Sequence, residues 1–128
     1  MVPDVDRIRE LTESEPATPA PWQVACVRAC YSRALAEGLR LPRLVFRWRR
    51  GPRGPGVHVQ GATVHVADGG IFVYLRTDAL DLPRTTFHEL FHVHAITTGL
   101  SQRISLAEEE ERADEFARQT AAINTRSA

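Results

Sequence analysis

Apolar residues set the first divisions of the chain. Val5 to Leu11 reads as one short helix inside an otherwise Pro-rich arm. Trp22, Cys26, Ala29 and Cys30 then recur at helical spacing, which predicts a core-packing helix from about Ala20 to Glu37. Thr18 serves as its N-cap, Pro19 as its first-turn proline and Gly38 as its stop. Residues 43–50 alternate imperfectly, as in a half-exposed strand, and the Gly/Pro run from Gly51 to Gly56 breaks any regular structure. Val57–Val59 and Thr63–Val66 read as two short strands around a Gln60-Gly61-Ala62 turn. Asp68-Gly69-Gly70 is a second turn signal, and Ile71–Leu75 is another strand. The middle of the chain is therefore expected to be a small twisted sheet, a meander of three or four strands. Asp78 or Asp81 can cap a helix from about Leu82 to Thr98, with Pro83 in its first turn and Gly99 just past its end. A capping box, Ser105-Leu106-Ala107-Glu108, opens a last helix that runs to about Asn124. The order of elements predicts an α+β fold. Residues 1–18 are expected to be a flexible acidic arm and residues 19–128 a single domain.

Length and composition agree with this picture. The chain has 128 residues, 43% hydrophobic and 25% charged, which are values of a globular domain. Sixteen basic residues, all arginine, balance 16 acidic ones. Zero net charge excludes a generally polybasic binder of nucleic acid or membrane. The N-terminus shows no charged-then-apolar leader, and no apolar run approaches the roughly 20 residues that span a bilayer. A soluble, cytoplasmic protein is expected. Cys26 and Cys30 lie four apart on one predicted helix face and read as reduced core thiols.

The strongest chemical signal is His88-Glu89-Leu90-Phe91-His92, in the helix after the sheet. Histidines at i and i+4 share one helix face, so both imidazoles can reach one tetrahedral metal ion. Glu89 lies about 100° round from His88 and flanks the metal instead of filling its shell. A carboxylate there can take a proton from a water whose pKa the metal lowers. This is the HExxH motif of zinc hydrolases.

A catalytic zinc needs a third protein ligand. His94 lies roughly 200° from His92 and cannot share the ion. Residues 95–98 exclude the longer metzincin pattern. The last helix offers carboxylates instead. Leu106, Ala113, Phe116, Ala117 and Ala121 form its apolar arc; Glu110 falls inside the arc and Asp114 one turn later beside it. A carboxylate turned toward a core needs a partner, and a metal ion is one. Asp114 could then accept the free N–H of a ligating histidine. Glu109, at the edge of the arc, is a second candidate ligand. Alternatively, the four consecutive glutamates are a solvated face favoured by the helix dipole.

His88–His92 followed by Glu110-Glu111-Arg112-Ala113-Asp114-Glu115-Phe116-Ala117 resembles the gluzincin pattern HExxH…ExxA(D/N)xFA. Over roughly Gly70 to Ala121 the chain looks most like the ImmA/IrrE family of small metallopeptidases. The resemblance implies a minimal zincin-like domain in which His88, His92 and Glu110 bind zinc, Glu89 is the general base and Asp114 supports a ligand. It also implies that Ile71, Phe72, Val73 and Tyr74 lie on an edge strand along which a peptide extends. Relatives typically cleave a repressor, so a regulatory protein is the implied substrate. Phe91 departs from the pattern, which often has a small residue there. Tyr74, His58, His65 and His94 are candidates for stabilising an oxyanion.

Six arginines between Arg40 and Arg53, with Trp48 among them, suggest a second reading. In it the zinc site is structural or degenerate and the segment contacts DNA or an acidic protein. The favoured alternative is that these arginines pair with the acidic N-terminal arm or the last helix. A SprT-like protease acting near DNA fits less well, because no third histidine follows His94 at a suitable place.

Overall fold

The computed structural model describes residues 5–55 and 58–127. It is an α+β fold of four α-helices and one three-stranded sheet. The order is α1 (Val5–Thr12), α2 (Pro21–Ala36), β1 (Val45–Arg49), β2 (Gly61–His65), β3 (Ile71–Arg76), α3 (Leu82–Thr98) and α4 (Leu106–Ser127). No described helix is long and apolar enough to cross a membrane.

The sheet is not a meander. Its strand order is β1-β3-β2, with β3 parallel to β1 and antiparallel to β2. Ile71–Leu75 is thus the central strand, not an edge. Its backbone pairs with β1 on one side and β2 on the other, and its side chains Ile71, Val73 and Leu75 enter the core. Val57 lies outside the described residues, and His58–Gln60 form no strand. Gly61 and Ala62 of the expected turn instead begin β2, while the turn at Asp68–Gly70 forms as expected. There the Asp68 side chain accepts the Gly70 N–H at 3.0 Å.

Helix α2 starts one residue later than expected, and its N-cap lies two residues later. Ala20 is its N-cap and Pro21 its first residue; the Gln23 side chain accepts the Ala20 N–H at 2.8 Å. Its buried stripe is Gln23, Val27, Cys30 and Ala34. Trp22, expected in the core, is 64% exposed, and Ala29 is exposed too. Cys30 is buried and Cys26 partly so, and both thiols are free. Burial pushes the pKa of both upward, as expected of inert core thiols.

One core cluster fills the space between the sheet, α2 and α3, through Val27, Ile71, Val73, Leu75, Leu82 and Val93. A second joins α2, α3 and α4 through Cys30, Ala34, Phe87, Leu90 and Ala117. Phe87 and Phe116 meet edge to face, with ring centroids 6.0 Å apart.

The N-terminal arm is packed, not free. Leu11 is fully buried, and α1 packs against β2 and β3. Residues 15–17 then run along the outer edge of β1. Ala17 N–H donates to the Trp48 carbonyl at 3.1 Å and Arg50 N–H to the Glu15 carbonyl at 2.8 Å. Several arginines of the Arg40–Arg53 segment are engaged within the fold. Arg50 pairs with Glu15, Arg49 donates to the Ser14 carbonyl, and Arg47 and Arg49 stack over Phe72 and Tyr74. Two of these contacts run to the arm, as the favoured alternative expected.

Candidate metal centre

Helix α3 has the predicted bounds, Leu82–Thr98. Asp81 caps it, accepting the Arg84 N–H at 3.2 Å. Gly99 ends it at φ 79°, a left-handed conformation that favours glycine. Asp78 serves elsewhere, paired with Arg76 at 2.8 Å, and that guanidinium holds its carboxyl below the usual range. Phe87, Leu90 and Val93 anchor one side of α3 in the core. His88 and His92 leave the helix together, with Nε2 atoms 3.2 Å apart. His94 points elsewhere and accepts the Arg40 N–H at Nδ1, 2.8 Å. Burial and the Arg40 charge lower its pKa.

Helix α4 opens at Ser105, whose hydroxyl accepts the Glu108 N–H at 3.1 Å. It lies against α3 and presents carboxylates to both histidines. Glu110 Oε1 is 2.8 Å from His92 Nε2, and its Oε2 is 3.2 Å from His88 Nε2. The ligand atoms of His88, His92 and Glu110 all lie within 4.8 Å of one another, close enough to hold one metal ion. Asp114 Oδ1 accepts from His88 Nδ1 at 2.8 Å. Glu109 Oε2 accepts from His92 Nδ1 at 2.5 Å, so Glu109 supports a histidine and does not join the cluster. Both rings are thereby held with Nε2 facing Glu110.

The electrostatics follow from this crowding. Burial pulls the His88 and His92 pKa values down, but the Glu110 hydrogen bonds and the Glu89 charge outweigh it. His88 ends raised and His92 raised to about 9. The same hydrogen bonds from His88 and His92 push Glu110 well below the usual carboxylate range, against its own burial. Glu89 is 6% exposed. Its Oε1 accepts the Thr63 hydroxyl at 2.8 Å.

These groups line a cleft of about 1140 Å³. One wall is β2 with Gln60, Gly61 and Thr63, and α1 contributes Arg7 and Ile8. Ile71, Phe72, Val73 and Tyr74 do not line it; they belong to the central strand, whose backbone is paired on both sides. The edge strand at the cleft is β2. His58, His65 and His94 are also absent from its lining.

The sequence thus located His88, Glu89, His92, Glu110 and Asp114, which the fold brings together. It missed Thr63 and the role of Glu109. The buried stripe Glu109-Ala113-Ala117-Thr120 was available as a signal for the second, because it turns Glu109 inward. Nothing local marks Thr63, whose partner is 26 residues away.

No protein-family model matches the chain, and no curated protein or solved structure matches it either.

Proposed function

We propose that the chain is a zinc-dependent endopeptidase of the gluzincin kind, with His88, His92 and Glu110 as ligands and Glu89 as general base. One observation carries this reading. Both histidine Nε2 atoms converge on the Glu110 carboxylate while both Nδ1 atoms are held by other carboxylates. Two imidazoles and a carboxylate form a donor set that zinc takes, with a fourth position left for the chemistry. Zinc, when bound, supplies a Lewis acid for the scissile carbonyl and lowers the pKa of a water to about 7.

The chain's own residues do the rest. Glu89, on the cleft side of α3, takes the proton of the attacking water and later hands it to the leaving amine. Among the described residues, β2 pairs only with β3. Its other edge can therefore bond an extended peptide, and this replaces the expected role of Ile71–Tyr74. Regulatory proteins, transcriptional repressors among them, are the substrates to test first.

Zinc should be measured in the purified protein beside His92→Ala and Glu110→Ala. One equivalent in the parent, lost or weakened in both variants, is expected. Glu89→Gln should keep zinc and lose hydrolysis by about 10²- to 10⁴-fold, the usual worth of a general base. Retained activity in that variant would refute the assigned base. Zinc without hydrolysis in the parent would favour a non-catalytic zinc module that binds protein or DNA through the Arg40–Arg53 segment.

A further inference from the structure

We infer that Thr63 is a positioning residue for Glu89, tying the base to the strand that borders the substrate's path. The inference rests on the peptidase reading only for its catalytic consequence; the contact itself is independent of it. Thr63 stands mid-way along β2, in register with Val73 of the central strand, which puts its side chain on the sheet face that packs against α3. Its Oγ1 is 2.8 Å from Glu89 Oε1 and 3.1 Å from the Glu89 carbonyl oxygen. A hydroxyl has one proton, and the nearer, charged acceptor takes it. Thr63 thus donates a hydrogen bond to the Glu89 carboxylate. Glu89 is buried, so loss of the Thr63 hydroxyl removes a hydrogen bond from a carboxylate that needs its partners.

The arrangement has a clear chemical use. Donation to Oε1 fixes one oxygen and leaves Oε2 with its lone pairs for the proton in transit. It also holds the carboxylate plane against rotation about the last side-chain bond, a broad, soft torsion. The backbone beside it is close-fitting. A Cβ on Gly61, two residues earlier, would meet Glu89 Cγ at 3.1 Å and Thr85 Cγ2 at 2.9 Å. Strand β2 therefore runs close against Glu89 at Gly61, with no room there for a side chain. One strand thus fixes both the open edge available to a peptide and the orientation of the base.

The test compares Thr63→Val, Thr63→Ser and Thr63→Ala in the full chain loaded with zinc. Valine keeps the shape and removes the donor, serine keeps the donor, and alanine leaves room for water. Crystal structures of the three would report the Glu89 side chain. Hydrolysis of fluorescein-labelled casein would report apparent kcat and KM, and zinc content would report the metal site. In Thr63→Val, Glu89 should leave its place, with kcat about 10- to 100-fold lower and KM and zinc content unchanged. Thr63→Ser should keep Glu89 in place and keep most of the activity. If valine fails to fold, alanine decides: Glu89 displaced, or held only by a water in the vacated hydroxyl position, is expected, and Glu89 unmoved with no such water would overturn the inference. Glu89 unmoved in both Thr63→Val and Thr63→Ala would overturn the inference. No casein hydrolysis by the parent would count against the peptidase reading, and the Glu89 position in the variants would still decide what Thr63 does.

Discussion

Glu109 and Asp114 do the same job on two histidines from different environments, and the difference predicts unequal losses. Glu109 is 6% exposed, and its His92 contact is buried on both sides. Asp114 has a side chain 66% exposed beside His88, where water can replace it. Removing a carboxylate behind a ligating histidine costs about 10- to 100-fold in metal affinity. Glu109→Gln should fall toward the upper end and Asp114→Asn toward the lower, read by competition with a zinc chelator. Equal losses would mean that burial does not grade the two contacts. The histidines also set a pH dependence in the metal-free protein. The folded pKa of His92, about 9, lies above its ordinary 6.5, so folding favours the protonated ring. That stabilisation is fully present below about 6.5 and is lost as pH rises through about 9. Glu110, pushed down from 4.5, acts on the acid side: its contribution is present above its ordinary value and is lost as pH falls through the lowered one. The melting temperature of chelator-treated protein should therefore decline between pH 6.5 and 9. His92→Ala should flatten the decline. Zinc binding should instead tighten over the same range, as protons leave its ligands. A decline of the same size in His92→Ala would assign it to other groups.

At the level of elements, the fit of β2 on α3 gives a further prediction. A Cβ at Gly61 would lie 2.9 Å from Thr85 Cγ2, 3.1 Å from Glu89 Cγ and 3.2 Å from the Tyr74 carbonyl oxygen. The carbonyl belongs to the central strand and has little freedom to move. Gly61→Ala should cost about 1–3 kcal/mol, as overpacking does, seen as a lower midpoint in urea with the slope unchanged. An unchanged midpoint would mean that the strand has slack. The same packing explains what could be read from the sequence. Helix α3 was legible because its signals are local: Asp78 or Asp81 at one end, of which Asp81 proves to be the cap, Gly99 at the other, and histidines one turn apart between them. Helix α4 was legible in part: Ser105 marked its start, but the apolar arc put Glu110 inside and Glu109 at the edge, whereas Glu109 is the buried one and the Glu110 side chain is 38% exposed. The sheet was not, because strand order depends on which faces other elements cover. The apolar run Ile71–Leu75 was compatible with an edge or a centre, and only its burial between β1 and β2 decided it. Trp22 shows the same limit on a helix: the stripe through Gln23, Val27 and Cys30 fits the spacing as well as the one through Trp22 and Cys26. The Thr63–Glu89 contact and the docking of α1 are long-range, so no window of sequence contains them.

Across the whole molecule, the candidate metal site is also a staple. Every contact among His88, His92, Glu109, Glu110 and Asp114 runs between α3 and α4 or between the two histidines. The sheet contributes no ligand. Without metal, Glu89, Glu109, Glu110 and Asp114 gather four carboxylates around two histidines, a concentration of negative charge that a divalent cation would relieve. Ion binding to the native state stabilises it by about 2.7 kcal/mol at a free concentration 100 times the Kd. For a chain of this size that corresponds to a rise in melting temperature on the order of 10 °C. Stripping zinc with a chelator should therefore lower the melting temperature by about that amount, and adding zinc back should restore it. The loss should also be local. Amide hydrogen exchange should quicken in α4 and in the middle of α3, whereas β1 and β3 keep their protection, because the core between the sheet, α2 and α3 does not include the ligands. A uniform loss of protection would mean that α4 unfolds only with the rest. No change on chelation would mean that His88, His92 and Glu110 hold no metal in the folded protein, and the peptidase reading would fall with it.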